Sequence, residues 1–194
     1  MMIDVDQVKL LIQSRRSVKP NFYTTEIVSD EIIYDMLESA RWAPTHGLTE
    51  PWKFFVFSGN YKHKLADFLS ELYQLKSSVN FLQTKYEKIK TNILKTSHVI
   101  MIGMQRQING KIPEVEEICA VACAVQNMQL TATAYGIGCY WSTGSMSTHS
   151  ETKNFLGLRE ADVCLGMLYV SNYTGEIITP KRTPTLEKTV WIKN

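Results

Sequence analysis

No stretch of this 194-residue sequence strings together enough apolar residues to cross a membrane, which takes roughly 20 in a helix. The N-terminal run MMIDVDQVKL lacks the basic start and apolar centre of a secretory leader, so a cytoplasmic protein is expected. An excess of one charge is also missing. Lys and Arg number 21 against 19 Asp and Glu, for a net charge of +2. Nucleic-acid binders concentrate basic charge on one face, so that class is not expected. Cysteine is sparse: Cys119, Cys123, Cys139 and Cys164 form no CxxC pair. A disulfide framework is not expected in this compartment. Cys119 and Cys123, four apart among apolar neighbours, should share one helix face as buried free thiols. The four histidines show neither HExxH nor zinc-ligand spacing, so no metal is assigned. The segment GIGCYWSTG holds a G-x-G but not the full dinucleotide fingerprint, so it carries no Rossmann meaning.

What is present is an ordinary globular balance, 44% hydrophobic and 21% charged, in a length that fits one domain over residues 1–194. DVDQVKLLIQS has helical spacing at Val5, Val8, Leu11 and Ile12 and should end before Pro20. VSDEIIYDMLESARWAP predicts a second helix, with Ser29 as N-cap and Pro44 as its end. WKFFVF and SHVIMIGMQ read as buried strands. Residues 61 to about 95 carry a lysine-rich helical pattern. IPEVEEICAVACAVQNMQLTATAYGIG should be the longest helix. It has Pro113 and three glutamates in its first turn, an apolar surface almost all round, and Gly136 and Gly138 as its stop. CYWST reads as a strand entering a loop, THSETKNFLGL as a short helix and DVCLGMLYVS as a last core strand. Strands and helices follow one another without regular βαβ alternation, which predicts α+β. The tail TPKRTPTLEKTVWIKN ends on Val190, Trp191 and Ile192. Such an apolar end should dock as an extended arm, with a partner subunit as one candidate surface.

The segment LLIQSRRSVKPNF places Arg15, Arg16 and Ser17 where the first helix stops. Two bidentate cations and a hydroxyl suit an anion, phosphate above all. The same residues also suit a solvated basic helix end that complements the helix dipole.

Four stretches in order carry a resemblance: RRS, then ARWAPTHGLTEPWKFFVF, then the long apolar helix leading to YGIGCYWSTG, then PKRTPTLEKTVW. Together they resemble the nitroreductase family of FMN-dependent NAD(P)H oxidoreductases, particularly its small members. The resemblance implies a mostly antiparallel central sheet flanked by helices, in an intertwined homodimer with exchanged C-terminal arms. It implies that Arg15, Arg16 and Ser17 hold the flavin phosphate and ribityl chain, and that Arg182, or failing it Lys181, joins the phosphate. It implies that Trp42, Pro44, Thr45 and His46 belong to a loop donated to the other subunit's flavin. It implies that Trp141, Ser142, Thr143 and Gly144 form the turn over the flavin ring. Each residue has a plainer reading beside this one: Trp42 and Trp52 as core aromatics, His46 as a polar loop residue, Ser142–Gly144 as a tight turn and Arg182 as a solvated tail residue.

The implied activity is hydride transfer from NADH or NADPH to FMN and on to a small nitroaromatic or quinone-like acceptor, by a ping-pong mechanism. No side chain is expected to act as a catalytic nucleophile. The chain departs from the family pattern twice. Glu50 stands before Pro-Trp where many relatives have Gln or Asn, and Ser142 follows Trp where small relatives often have Arg. These departures keep an alternative open, a flavin- or ligand-binding module without efficient turnover.

Overall fold

Six helices and four strands make up the regular structure of a computed structural model that describes residues 3–176 and 180–193. Thr179 and Asn194, the two ends of the predicted tail segment, lie outside the described residues. Strands β1 (Trp52–Phe57), β2 (His98–Met104), β3 (Gly138–Ser142) and β4 (Val163–Ser171) form one sheet in the order β1-β2-β4-β3, and every pairing is antiparallel. The helices are α1 (Val5–Ser14), α2 (Asp30–Arg41), α3 (Tyr61–Ser77), α4 (Gln83–Lys95), α5 (Glu114–Ala134) and α6 (Ser150–Phe155). The architecture is α+β, as expected.

Alternation along the central strands sorts the core into two layers. Ile100, Ile102 and Met104 of β2 pack with α2 and α5 through Met36, Ala40, Val121 and Met128. Val99 and Met101 face the other way, onto Leu65 and Leu69 of α3 and Ile93 of α4. Strand β4 breaks the alternation. Met101 pairs with Met167 but Gly103 pairs with Cys164, so Leu165 and Gly166 together oppose Ile102. This extra residue is a β-bulge. It shifts the strand's parity, so Cys164 shares a layer with Met167 and Tyr169 while Leu168 and Val170 face the opposite layer.

Several element boundaries differ from the sequence expectation. The pattern over 61–95 is two helices, because Ser78 turns the chain with a φ of 43° between them. Helix α2 stops at Arg41, before Pro44, and Ser29 is its N-cap by position but gives no side-chain cap bond. Pro113 is the N-cap of α5 and does not enter its first turn, where Glu114, Glu116 and Glu117 do stand. Gly136 ends α5 with a φ of 71°, and Ile137 N–H closes back onto the carbonyl of Ala132 at 2.8 Å, a left-handed C-terminal stop. Cys119 and Cys123 are not the buried thiols expected. Cys119 is exposed and Cys123 half-buried, because the outer face of α5 is not covered by this chain. Among the described residues no helix is long and apolar enough to cross a membrane.

Candidate functional site

Arg15 and Arg16 follow α1, and the segment after them lies against the sheet. Val18 N–H donates to the carbonyl of Cys139 at 2.8 Å, beside a parallel bridge between Ser17 and Cys139. This fixes where the arginines start. Arg15 Nη1 donates to Gln129 Oε1 of α5 at 3.2 Å. Arg16 Nη1 donates to the carbonyl of Arg15 at 2.9 Å and contacts that of Gln13, closing the helix end. Arg182 arrives from the C-terminal segment, and with Arg15, Arg16, Gln126 and Pro180 it lines a cleft of about 690 Å³. Among the described residues no carboxylate lines that cleft. Three permanently charged, multi-donor side chains therefore face one space, which is the chemistry of a phosphate cradle. The neighbouring thiol takes no part, since burial pushes Cys139 up to about 12 and a protonated thiol is not a nucleophile.

Strand β3 leads from this cleft to the second predicted element. Its span from Gly138 to Ser142 is about 13 Å at the usual rise. The Trp141 indole is half-buried against the core and donates to the carbonyl of Leu165 at 2.9 Å, so it anchors the turn to β4. Beyond it, the main-chain amides of Thr143 and Gly144 donate to no group among the described residues. The turn lies directly on the bulge. A β-carbon on Gly166, whose φ is 101°, would sit 2.3 Å from the carbonyl oxygen of Ser142. Only glycine allows that approach.

Ser142 and Gly144 face a groove that the sequence did not reveal. A recess of about 350 Å³ lies between them and α4, with Lys85, Lys88 and Asn92 on its far wall. A second recess of about 560 Å³ shares Ser142, Lys88, Asn92 and Tyr169 and extends to Lys19. Tyr140 and Tyr169 line this second recess as a stacked pair, 6.1 Å between ring centroids. The lysine pattern of α4 was visible in the sequence, but the side of the helix that meets the sheet was not.

The WAPTHG loop is elsewhere. Pro44, Thr45 and His46 line a separate recess of about 440 Å³ against Glu116, Cys119 and Cys123 of α5. Within one chain they do not join Arg15, Arg16 and Ser17. Thr45 Oγ1 accepts from Glu50 N–H at 3.2 Å and contacts Thr49 Oγ1, so its hydroxyl holds the loop's own shape. His46 Nδ1 meets Glu116 Oε2 at 2.5 Å and ties the loop to α5. Leu48 and Glu50 have positive φ beside Gly47, so two non-glycine residues within four hold a left-handed backbone that costs energy. Trp42 is not a core aromatic, being 74% exposed, with its Nε1 donating to Glu38. Trp52 does pack on the core.

An antiparallel α+β sheet with a cation-lined cleft completed by the C-terminal segment defines the class of protein. The profile of the Nitroreductase family matches residues 12–171, and the chain belongs to the nitroreductase family. Over 179 residues it is 27% identical to "Putative NAD(P)H nitroreductase YfhC" of Bacillus subtilis, covering 92% of this chain and 90% of that protein. The crystal structure of a nitroreductase-like family protein from Bacillus cereus superposes with a TM-score of 0.81 at 26% identity, covering all of both chains. The FMN-dependent nitroreductase NfnB from Mycobacterium smegmatis, solved in complex with NADPH, shares the fold with a TM-score of 0.77 at 18% identity, covering 98% of this chain and all of that one.

Proposed function

We propose that this protein is an FMN-dependent oxidoreductase that works as a homodimer, taking hydride from NADH or NADPH and reducing nitroaromatic or quinone-like acceptors with ping-pong kinetics. The observation that carries this reading is the meeting of Arg15, Arg16 and Arg182 in one cleft that no carboxylate lines among the described residues. The names of YfhC and NfnB support the same cofactor and co-substrates.

The residues present fit FMN. Its phosphate needs charge-assisted donors, which the three arginines provide, with Ser17 beside them and Lys181 within the same tail segment. Gln129 holds the Arg15 guanidinium in place before any ligand arrives. The amides of Thr143 and Gly144 offer unused donors to the polar edge of a flat ring, and Gly166 lets that turn sit close against β4. Bound FMN supplies the hydride and electron chemistry. The chain's work is to bind, orient and shield, which requires no side-chain nucleophile.

The homodimer reading rests on apolar surface that one chain leaves open. Helix α1 has no buried residue, though Val5, Val8, Leu10 and Ile12 are apolar. Trp42, Leu48, Leu186, Val190, Trp191 and Ile192 are also exposed. A patchwork of this kind marks an interaction surface, and a second copy would cover it while bringing the partner's loop toward each cleft.

The test is the visible spectrum of the purified protein with added FMN, followed by anaerobic NADH or NADPH. Retained flavin bands that bleach with NAD(P)H are the expected result. Bound flavin that stays oxidised would instead assign the chain to ligand binding without turnover, and failure to retain flavin would remove the cofactor from the cleft.

A further inference from the structure

The groove in front of Ser142 and Gly144 is lined by Lys19, Lys85 and Lys88 and, among the described residues, by no carboxylate in either of its recesses. Nearby lysines are neutralised. Lys90 pairs with Asp67 at 2.7 Å, and Lys76 pairs with Glu151. Lys85 and Lys88 have no carboxylate partner among the described residues. Lys85 lies 4.8 Å over the Tyr73 ring, a contact that orients the ammonium and leaves its charge in place. Lys85, Lys88 and Asn92 recur at helical spacing on one face of α4. Ile89 joins them on that face, and Met146 and Met167 line the same recess. An apolar slot with two unpaired cations at its rim selects a ligand with a flat apolar body and one anionic group.

We propose that this groove is the acceptor site and that Lys85 and Lys88 make it selective for aromatic acceptors that bear a carboxylate. The acceptor would enter from the rim of the groove, beside the flavin that the Ser142–Gly144 turn would meet, with its carboxylate directed to the two ammonium groups. This rests on the oxidoreductase reading given above. It adds the acceptor's charge and the residues that read it.

The experiment compares benzoate with neutral benzamide by titration calorimetry, and 4-nitrobenzoate with its methyl ester in turnover, on the FMN-loaded protein and on K85Q/K88Q. Both lysines are exposed and glutamine keeps helix propensity, so the variant should fold. The expected result is a loss of about fivefold in the benzoate-over-benzamide affinity ratio, the scale of two partly exposed ion pairs. An equal loss is expected in the acid-over-ester ratio of kcat/KM. K95Q, which removes a charge from the same helix away from the groove, should preserve both ratios. Ratios unchanged in K85Q/K88Q, or lowered as much in K95Q, would overturn the proposal. Flavin content is read on the same samples. Wild-type protein without flavin would fail the cofactor reading, and the benzoate ratio would still report on the lysines.

Discussion

The carbonyl oxygen of Ser142 lies 2.3 Å from the point that a β-carbon on Gly166 would occupy. The bulge in β4 and the turn after β3 are therefore fitted to each other, and the turn cannot be altered from below without moving its backbone.

Gly166→Ala must both adopt a left-handed backbone, at a cost of about 1–2 kcal/mol, and push Ser142 away. The melting temperature should fall by about 4 °C or more, and FMN affinity should fall with it. Gly144→Val is the contrast. A β-carbon there meets only Ser142 Oγ, at 3.8 Å, so the melting temperature should stay within about 2 °C. Flavin reduction by NAD(P)H should slow roughly tenfold or more, as when a positioned donor is displaced. Calorimetry and stopped-flow absorbance read the two effects, and wild-type reduction in Gly144→Val would count against the turn's role.

Arg16→Ala and Arg182→Ala should each weaken FMN binding by about 1.5–3 kcal/mol, the worth of a hydrogen bond to a charged group, or roughly tenfold to a hundredfold in Kd. Arg182 is the cleaner probe, because Arg16 also closes the end of α1 through the carbonyls of Gln13 and Arg15. Quenching of flavin fluorescence on binding gives the affinity. An unchanged Kd in both variants would reject the phosphate assignment.

His98 makes a pH prediction. It is buried at the start of β2, with Nδ1 on Ser97 Oγ at 2.9 Å and Nε2 on Asp30 Oδ1 at 3.1 Å. Burial holds its proton affinity below the ordinary value, although Asp30 pulls the other way. The unfolded chain therefore takes up a proton first as pH falls past about 6.5. Stability should be fully present above that pH, decline below it, and level off once the folded imidazole is protonated too. His98→Gln should show a smaller drop in urea midpoint between pH 7.5 and 5 than wild type. Equal drops would show that another group governs the acid limb.

Trp191 is 70% exposed in the single chain. Buried in a homodimer, it is the kind of aromatic anchor whose truncation costs about 2 kcal/mol or more. Trp191→Ala should shift the monomer–dimer midpoint, by analytical ultracentrifugation, to roughly thirtyfold higher concentration. Flavin should be released over the same range. A monomeric wild type, or a dimer indifferent to this change, would refute arm exchange.

How much of this could be read from residues differs by element. The helices and strands with clean periodicity were legible, as was the α+β order, because hydrophobic pattern and turn residues report directly on local geometry. The meeting of Arg15 with Arg182 was suggested by motif order and is a tertiary fact. The split at Ser78 was signalled by SSVN between two apolar runs, a turn cluster hidden by the lysine-rich pattern around it. Gly166 stands alone inside the strand DVCLGMLYVS, the usual mark of a bulge or a close approach, but a single glycine does not say which of the two it serves. Lys88 and Asn92 could not be found, because a charged helix shows its spacing and not its docking face. The exposure of Cys119 is not legible from its apolar neighbours, because an apolar face says that something covers it, not that the same chain does.

The arginine cleft has a history as well as a shape. Arg15 and Arg16 are synthesised before any strand of the sheet and Arg182 only after all four. The proposed phosphate site therefore cannot be complete while the sheet is still emerging, and a nucleotide cannot guide the first stages of folding through all three cations. The hydrophobic layers must assemble on their own strength. The tail's Pro180 and Arg182 then complete the cleft from the far end of the chain.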